Sequence, residues 1–208
     1  MKTAAIVPAY NEEKTVGAVI ATLLNCPSVQ EVIVVSDGSS DNTAQIARDY
    51  AVTLVDLKTN VGKGGAMKAG AAETDCEVLV FVDADLVGLR CEHIETLLQP
   101  VLSQKTAMSI GVFSEGRPST DLAQKIAPSL SGQRAIRKEL FDQVPNLEHS
   151  RYGVELALTR YAEQRGVDIV AVPLPALSQI VKEKKLGFVK GVKARLEMYK
   201  DIIKSIKL

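Results

Sequence analysis

The residue types best suited to chemistry fall in four short segments, each at the end of an apolar run or the start of a helical one. Val78-Leu79-Val80-Phe81-Val82 leads into Asp83-Ala84-Asp85. With strand geometry maintained, the two acids share one face. Like charges that close are costly at the end of an apolar strand, and a divalent cation relieves the repulsion while bridging to a diphosphate. An all-oxygen donor set without neighbouring Cys or His selects Mg2+ or Mn2+ over Zn2+. Pro8-Ala9-Tyr10-Asn11-Glu12-Glu13 offers a ring and two carboxylates that suit ribose hydroxyls, or it simply opens a helix whose dipole favours acids. In Ser36-Asp37-Gly38-Ser39-Ser40-Asp41-Asn42-Thr43, Asp37 can accept from a base N–H while Gly38 turns the backbone. The same run also reads as an ordinary capped turn. Asn60-Val61-Gly62-Lys63-Gly64-Gly65 brings a glycine-rich turn to a helix start, where bare amides and Lys63 can meet an anion. Its glycines equally permit close packing.

These segments need a frame, and the chain supplies one. From Thr3 onward, short β-rich runs alternate with longer helical ones. That alternation predicts an α/β fold with a mostly parallel central sheet joined by right-handed crossover helices. Strands are expected near 4–7, 31–35, 53–55, 78–82 and 107–112, and helices near 15–24, 41–50, 64–73 and 91–102. Asp41 and Asn42 supply acceptors for the free N–H groups that open the second helix. The acidic segments then follow strands at their carboxyl ends, where open α/β sheets bind ligands. Beyond 113 the regularity weakens. A polar, turn-rich stretch at 114–120 suits an active-site flap, followed by a helix at 153–164, a strand at 168–172 and a last helix at 187–207. With no internal repeat or low-complexity linker, a single domain is expected.

The chain has 208 residues, 46% hydrophobic and 24% charged, with 25 basic and 25 acidic side chains. That balance excludes a basic nucleic-acid coat and a disordered acidic chain. Cys26, Cys76 and Cys91 are odd in number and lack C-x-x-C spacing, which argues against a disulfide framework or a thiolate zinc site. No apolar run is long enough to span a bilayer, and Met1 to Pro8 enters strand-like sequence directly, so a cytoplasmic protein is expected. The first strand turn lacks G-x-G-x-x-G and the lysine loop lacks G-x-x-x-x-G-K-[ST], which removes the dinucleotide and Walker-type readings.

Taken together, Val7-Pro8-Ala9-Tyr10-Asn11-Glu12-Glu13, Val35-Ser36-Asp37-Gly38-Ser39-Ser40-Asp41, Gly62-Lys63-Gly64 and Phe81-Val82-Asp83-Ala84-Asp85 resemble the nucleotide-diphospho-sugar transferases of the GT-A fold. The likeness is greatest to glycosyltransferase family 2 and runs from Ile6 to about Leu158. It implies a metal-dependent transferase that moves a hexose from a UDP- or GDP-sugar to a hydroxyl or phosphate acceptor. Pro8, Ala9, Tyr10, Glu12 and Asp37 would line the nucleoside pocket, and Lys63 would sit near base or phosphate. Asp83, Ala84 and Asp85 would meet the sugar nucleotide, with Asp85 the direct ligand of Mg2+ or Mn2+ and Asp83 beside it. Ser131-Gly132-Gln133-Arg134-Ala135 resembles the acceptor-side segment, which implies acceptor contacts for Gly132 and Arg134. Glu155, in Tyr152-Gly153-Val154-Glu155, falls at the family's acidic motif and would be the base; it also reads as a helix-opening acid beside Arg151. His93 is expected on an exposed helix face, while His149 is a candidate acceptor contact.

The resemblance divides the domain into a nucleotide-sugar half at 1–113, an acceptor half at 114–181 and a basic amphipathic helix at 182–208. Polyprenyl-phosphate sugar synthases and glucosyl-3-phosphoglycerate synthases are both similar, so the acceptor is either a lipid phosphate or a small phosphorylated molecule. The second group carries a downstream metal-binding His, whereas 173–180 here has none and Gln179 stands nearest. The segment 182–208 holds nine basic and three acidic residues on a stripe that includes Leu186, Val189, Val192, Leu196 and Tyr199. Such a helix suits an anionic membrane surface, its own core or a second copy in a homodimer. Two rival readings are a nucleotidyltransferase, which lacks its G-x-G-x-R-like loop here, and a nucleotide-sugar-binding scaffold without catalysis.

Overall fold

A computed structural model describes residues 1–113, 131–149 and 153–179. Seven strands form one sheet in the order β3-β2-β1-β4-β7-β6-β8: β1 Thr3–Ala9, β2 Glu31–Asp37, β3 Thr53–Leu57, β4 Val78–Phe81, β6 Met108–Phe113, β7 Arg134–Arg137 and β8 Ile169–Leu174. Pairing is parallel except around β7, which runs antiparallel to both β4 and β6. A second, two-stranded sheet joins β5 Leu86–Val87 to β9 Ser178–Gln179. The helices are α1 Val16–Leu24, α2 Thr43–Arg48, α3 Lys63–Ala71, α4 Cys91–Leu102, α5 Lys138–Asp142 and α6 Val154–Gln164, with a 3-10 turn at Leu147–His149.

Period-two alternation divides the strands between two cores, as a sheet covered on both faces requires. Ala5, Val7, Val32, Val34, Val78 and Val80 pack on one face with Val19, Ile20 and Leu23 of α1 and Ile94, Leu97 and Leu98 of α4. Ala4, Ile6, Ile33, Val35, Leu79 and Phe81 pack on the other with Ala66 and Met67 of α3, Phe141 of α5 and Leu158 of α6. Phe81 and Phe141 meet with ring centroids 5.0 Å apart.

The order of the strands locates a crevice. From β1 the chain builds outward through β2 and β3, then returns to lay β4 on the other side of β1. This is a topological switch point, where α/β sheets open a ligand cleft at their carboxyl edge. The β1–β4 ladder ends at Ile6 and Phe81, so Pro8 lies beyond the last β4 partner and its missing N–H interrupts nothing there.

The expected strands and helices of the first 113 residues are present, with α4 at the expected bounds and most other ends shifted by one or two residues. Three of the differences bear on the site. The strand expected over 78–82 ends at Phe81, so Asp83 and Asp85 stand in a turn rather than on a continued strand face. β7 has no counterpart in the sequence reading: four residues bracketed by arginines carry neither the length nor the apolar run of a buried strand. His93 is 3% exposed rather than on an outer helix face. Its ring turns back to the start of α4, where Nδ1 accepts from the Arg90 amide at 3.2 Å and Nε2 donates to the Pro175 carbonyl at 2.9 Å. The expected flap at 114–120, the helix at 187–207 and residues Arg151 and Tyr152 lie outside the described residues. All three cysteines are free thiols, two buried and Cys91 half-buried. Among the described residues, no helix is long and apolar enough to cross a membrane.

Candidate active site

The loops leaving β1 and β2 are bound to each other before they meet any ligand. Asn11, in the left-handed region at φ 56, donates its amide to Ser39 Oγ and accepts the Ser40 amide at 2.8 Å. Glu13 accepts from the Asn42 amide and side chain at 3.1 and 3.0 Å, and its own amide donates to Asp41 Oδ2. The Glu12 amide donates to Thr43 Oγ1 at 2.8 Å. Glu13 and Asp41 thus act as latch groups; Asp41 accepts from the Thr43 amide as expected, while Asn42, the N-cap, makes no side-chain capping bond and turns its amide to Glu13. Tyr10, at 51% exposure, projects from this rim. Pro8 and Glu12 are half-buried, and Ala9 is buried beneath them.

Asp37 performs the same office for the glycine-rich loop. It is 4% exposed, and its two oxygens accept the Val61 amide at 2.7 Å and the Gly62 amide at 3.0 Å. Gly38 follows at φ +67, and a Cβ there would lie 2.5 Å from the Asn60 nitrogen, so only glycine fits the crossing of the two loops. This clamp sets where α3 begins, and its first residue is Lys63.

Lys63 carries its charge into the switch-point cleft. Its Nζ donates to Asp83 Oδ1 at 2.6 Å and to Glu155 Oε1 at 2.7 Å, which joins the end of β4, the start of α3 and the start of α6. Burial works to lower the lysine, but the Asp83 and Glu155 charges outweigh it and hold the ammonium above the ordinary lysine range. Asp83 is gripped a second time by Gln133, whose Nε2 donates to Oδ2 at 2.7 Å while its Oε1 accepts the Asp83 amide at 3.0 Å. Gly132 closes the back of the pair. A Cβ there would lie 2.6 Å from Lys63 Nζ and 2.8 Å from Asp83 Oδ1, and would strike Oδ2 as well.

Arg134 lies beneath this layer with no exposed surface. Its guanidinium donates to the carbonyls of Ser131 at 2.6 Å and Glu155 at 3.1 Å, and burial pushes it down to about 10 against the opposing charges of Glu155 and Asp83. The two residues expected to meet the acceptor, Gly132 and Arg134, thus lie against the ion pair and against Glu155. Gly132 spaces the ion pair, and Arg134 supports Glu155 from below without reaching the cleft. His149 ends the 3-10 turn, and its side chain lies outside the described set.

The acid turn is also held from its far side. Leu86 and Val87 pair with Gln179 and Ser178, and His93 ties the preceding turn through the Pro175 carbonyl. Among the described residues, no three of His, Cys, Asp and Glu converge as a ready metal cage. Two carboxylates two residues apart, with no thiolate or imidazole beside them, nonetheless fit a hard divalent cation that completes its shell with water and substrate phosphates. Gln133 is the functional candidate that sequence reasoning missed as a site residue. It stands next to Gly132 in the quoted acceptor-side segment, but only the antiparallel β4–β7 pairing brings it to Asp83.

Known proteins share the family and the fold of this chain. The family model described as glycosyl transferase family 2 matches residues 4–165. A 4,4'-diaponeurosporenoate glycosyltransferase of Staphylococcus aureus (strain USA300) is 38% identical over 98 residues, which is 45% of this chain and 26% of that protein. The chain therefore spans about a quarter of the length of the curated relatives it matches. Among solved structures, glucosyl-3-phosphoglycerate synthase from Mycobacterium tuberculosis superimposes with a TM-score of 0.73 at 26% identity, covering 86% of this chain and 72% of that one; it was solved with Mn2+, UDP and glucosyl-3-phosphoglycerate. The same enzyme with Mg2+ and UDP gives a TM-score of 0.70 at 26% identity, covering 86% and 71%.

Proposed function

The chain belongs to glycosyl transferase family 2, and from that premise we propose that it moves a hexose from a UDP- or GDP-sugar to a hydroxyl or phosphate acceptor. The observation that carries this reading is the meeting of Asp83, Lys63 and Glu155 in the switch-point cleft, directly after the acid turn and beside the latched loops. Tyr10, Glu12 and Asp37 line the side that takes the nucleoside. Asp83 and Asp85 would hold Mg2+ or Mn2+, which would supply charge neutralisation to the departing nucleoside diphosphate. The acceptor oxygen attacks the sugar C1, the bond from C1 to the phosphate oxygen breaks, and the nucleoside diphosphate leaves with the electron pair. When the acceptor is a hydroxyl, its proton passes to Glu155. Gln133 and Lys63 fix Asp83, while Arg134 fixes the start of α6 and with it Glu155.

Two acceptor classes are suggested by the relatives' names: a lipid-type acceptor, after the 4,4'-diaponeurosporenoate glycosyltransferase, and a small phosphorylated one, after the phosphoglycerate enzyme. Polyprenyl phosphate and 3-phosphoglycerate, offered separately with UDP-glucose or GDP-mannose, distinguish them. In the accepted pair, Asp85→Ala lowers kcat/KM by about a hundredfold or more. Unchanged turnover in folded Asp85→Ala protein would sink the assignment.

A further inference from the structure

We propose that Lys63 is an exchangeable counter-ion: with no donor bound its ammonium neutralises Asp83 and masks Glu155, and it leaves both for the diphosphate when the donor enters with its cation. This rests on the transferase reading and adds an order of events to it.

Three observations carry the inference. Lys63 opens α3, the helix end where the dipole disfavours a cation, so its placement is offset by the two carboxylates that it bridges at 2.6 and 2.7 Å. Both acids belong to the machinery described above, and the ammonium stands against the oxygens that a divalent cation and a proton in flight would use. Finally, the side chain retains about a quarter of its surface exposed on a long flexible stem, and Gly132 lies so close to its ammonium that a Cβ there would be 2.6 Å from Nζ. Among the described residues around the pair, Arg134 is buried and bonded to carbonyls, whereas Lys63 keeps exposed surface.

The consequence is an acid pair kept neutralised until a donor diphosphate arrives. Glu155 then becomes available only in the donor complex, which favours donor-first binding.

The test is Mn2+ binding to the full chain with no nucleotide present, followed by electron paramagnetic resonance of the free ion. Removing the competing charge in Lys63→Met is expected to tighten Mn2+ by about tenfold, while UDP binding in the presence of Mn2+ weakens. Lys63→Gln serves if the Met variant does not fold, and Lys63→Arg is expected to keep Mn2+ affinity near that of the unaltered protein. Equal or weaker Mn2+ binding in a folded Lys63→Met or Lys63→Gln protein overturns the exchange, and leaves the transferase reading intact if Asp85→Asn still abolishes binding. Absence of Mn2+ binding in every protein, with UDP present or not, overturns both.

Discussion

Lys63 shows how far one side chain's meaning depends on its neighbours. Read alone, a lysine after Gly62 suggests an anion site; in the fold it spans Asp83 and Glu155, acids 20 and 92 residues away. The acids are legible because apolar strands rarely end in paired carboxylates without purpose. Gln133 was not, because a single amide carries no periodic signal and its partner lies 50 residues away. Arg134 was legible only as a charge, and its total burial arises from β7 lying between β4 and β6. Gly132 has the most direct consequence at this scale. A methyl in Gly132→Ala must displace Lys63 or Asp83, since it would meet the ammonium and both oxygens of Asp83. The fold is expected to survive with a modest loss of Tm, while UDP affinity in Mn2+ falls by about tenfold or more. Calorimetric titration beside thermal unfolding separates these effects, and unimpaired affinity would show that the Lys63–Asp83 geometry is immaterial.

At the scale of elements, the parallel strands and their crossover helices were readable because each apolar run has strand length and each helical run carries its own periodicity. The parts that were not readable are those defined by tertiary contact: the four-residue β7, the two-residue β5 and β9, and the inward turn of His93. His93 makes the anchoring of the acid turn dependent on pH. Burial, aided by the Arg90 charge and opposed by the Pro175 carbonyl and Glu92, holds its pKa below the ordinary histidine value. The neutral ring is therefore the form that stabilises the fold. That stabilisation is complete above the unfolded value near 6.5, and is lost as pH falls from there through the lower folded value, because the unfolded chain takes up the proton first. Protonation at Nδ1 would also set an N–H against the Arg90 amide. Thermal unfolding between pH 7.5 and 5.5 is expected to show a steeper fall in Tm for the unaltered protein than for His93→Gln, which starts lower. Parallel curves would remove His93 as the source.

For the whole molecule, the fold separates rigidity from chemistry. Two apolar cores cover both sheet faces, and the polar groups that matter collect at one carboxyl edge, on loops already bonded to one another through Asn11, Glu13 and Asp37. Such pre-bonded loops lose little freedom when a nucleotide settles on them, which is how a cleft assembled from separate segments can bind a donor at useful affinity. Net charge is zero over the chain, yet the segment 182–208 is strongly basic, so the remainder is correspondingly acidic. The most direct measurement is isothermal titration of UDP- and GDP-hexoses into the full chain, with and without Mn2+, beside Asp83→Asn. Binding of one nucleotide class that requires the metal and is lost in the variant is the expected result. A folded protein that binds neither class, or binds one equally well without metal and with Asp83 replaced, would contradict the assignment of this cleft to a metal-bound sugar nucleotide.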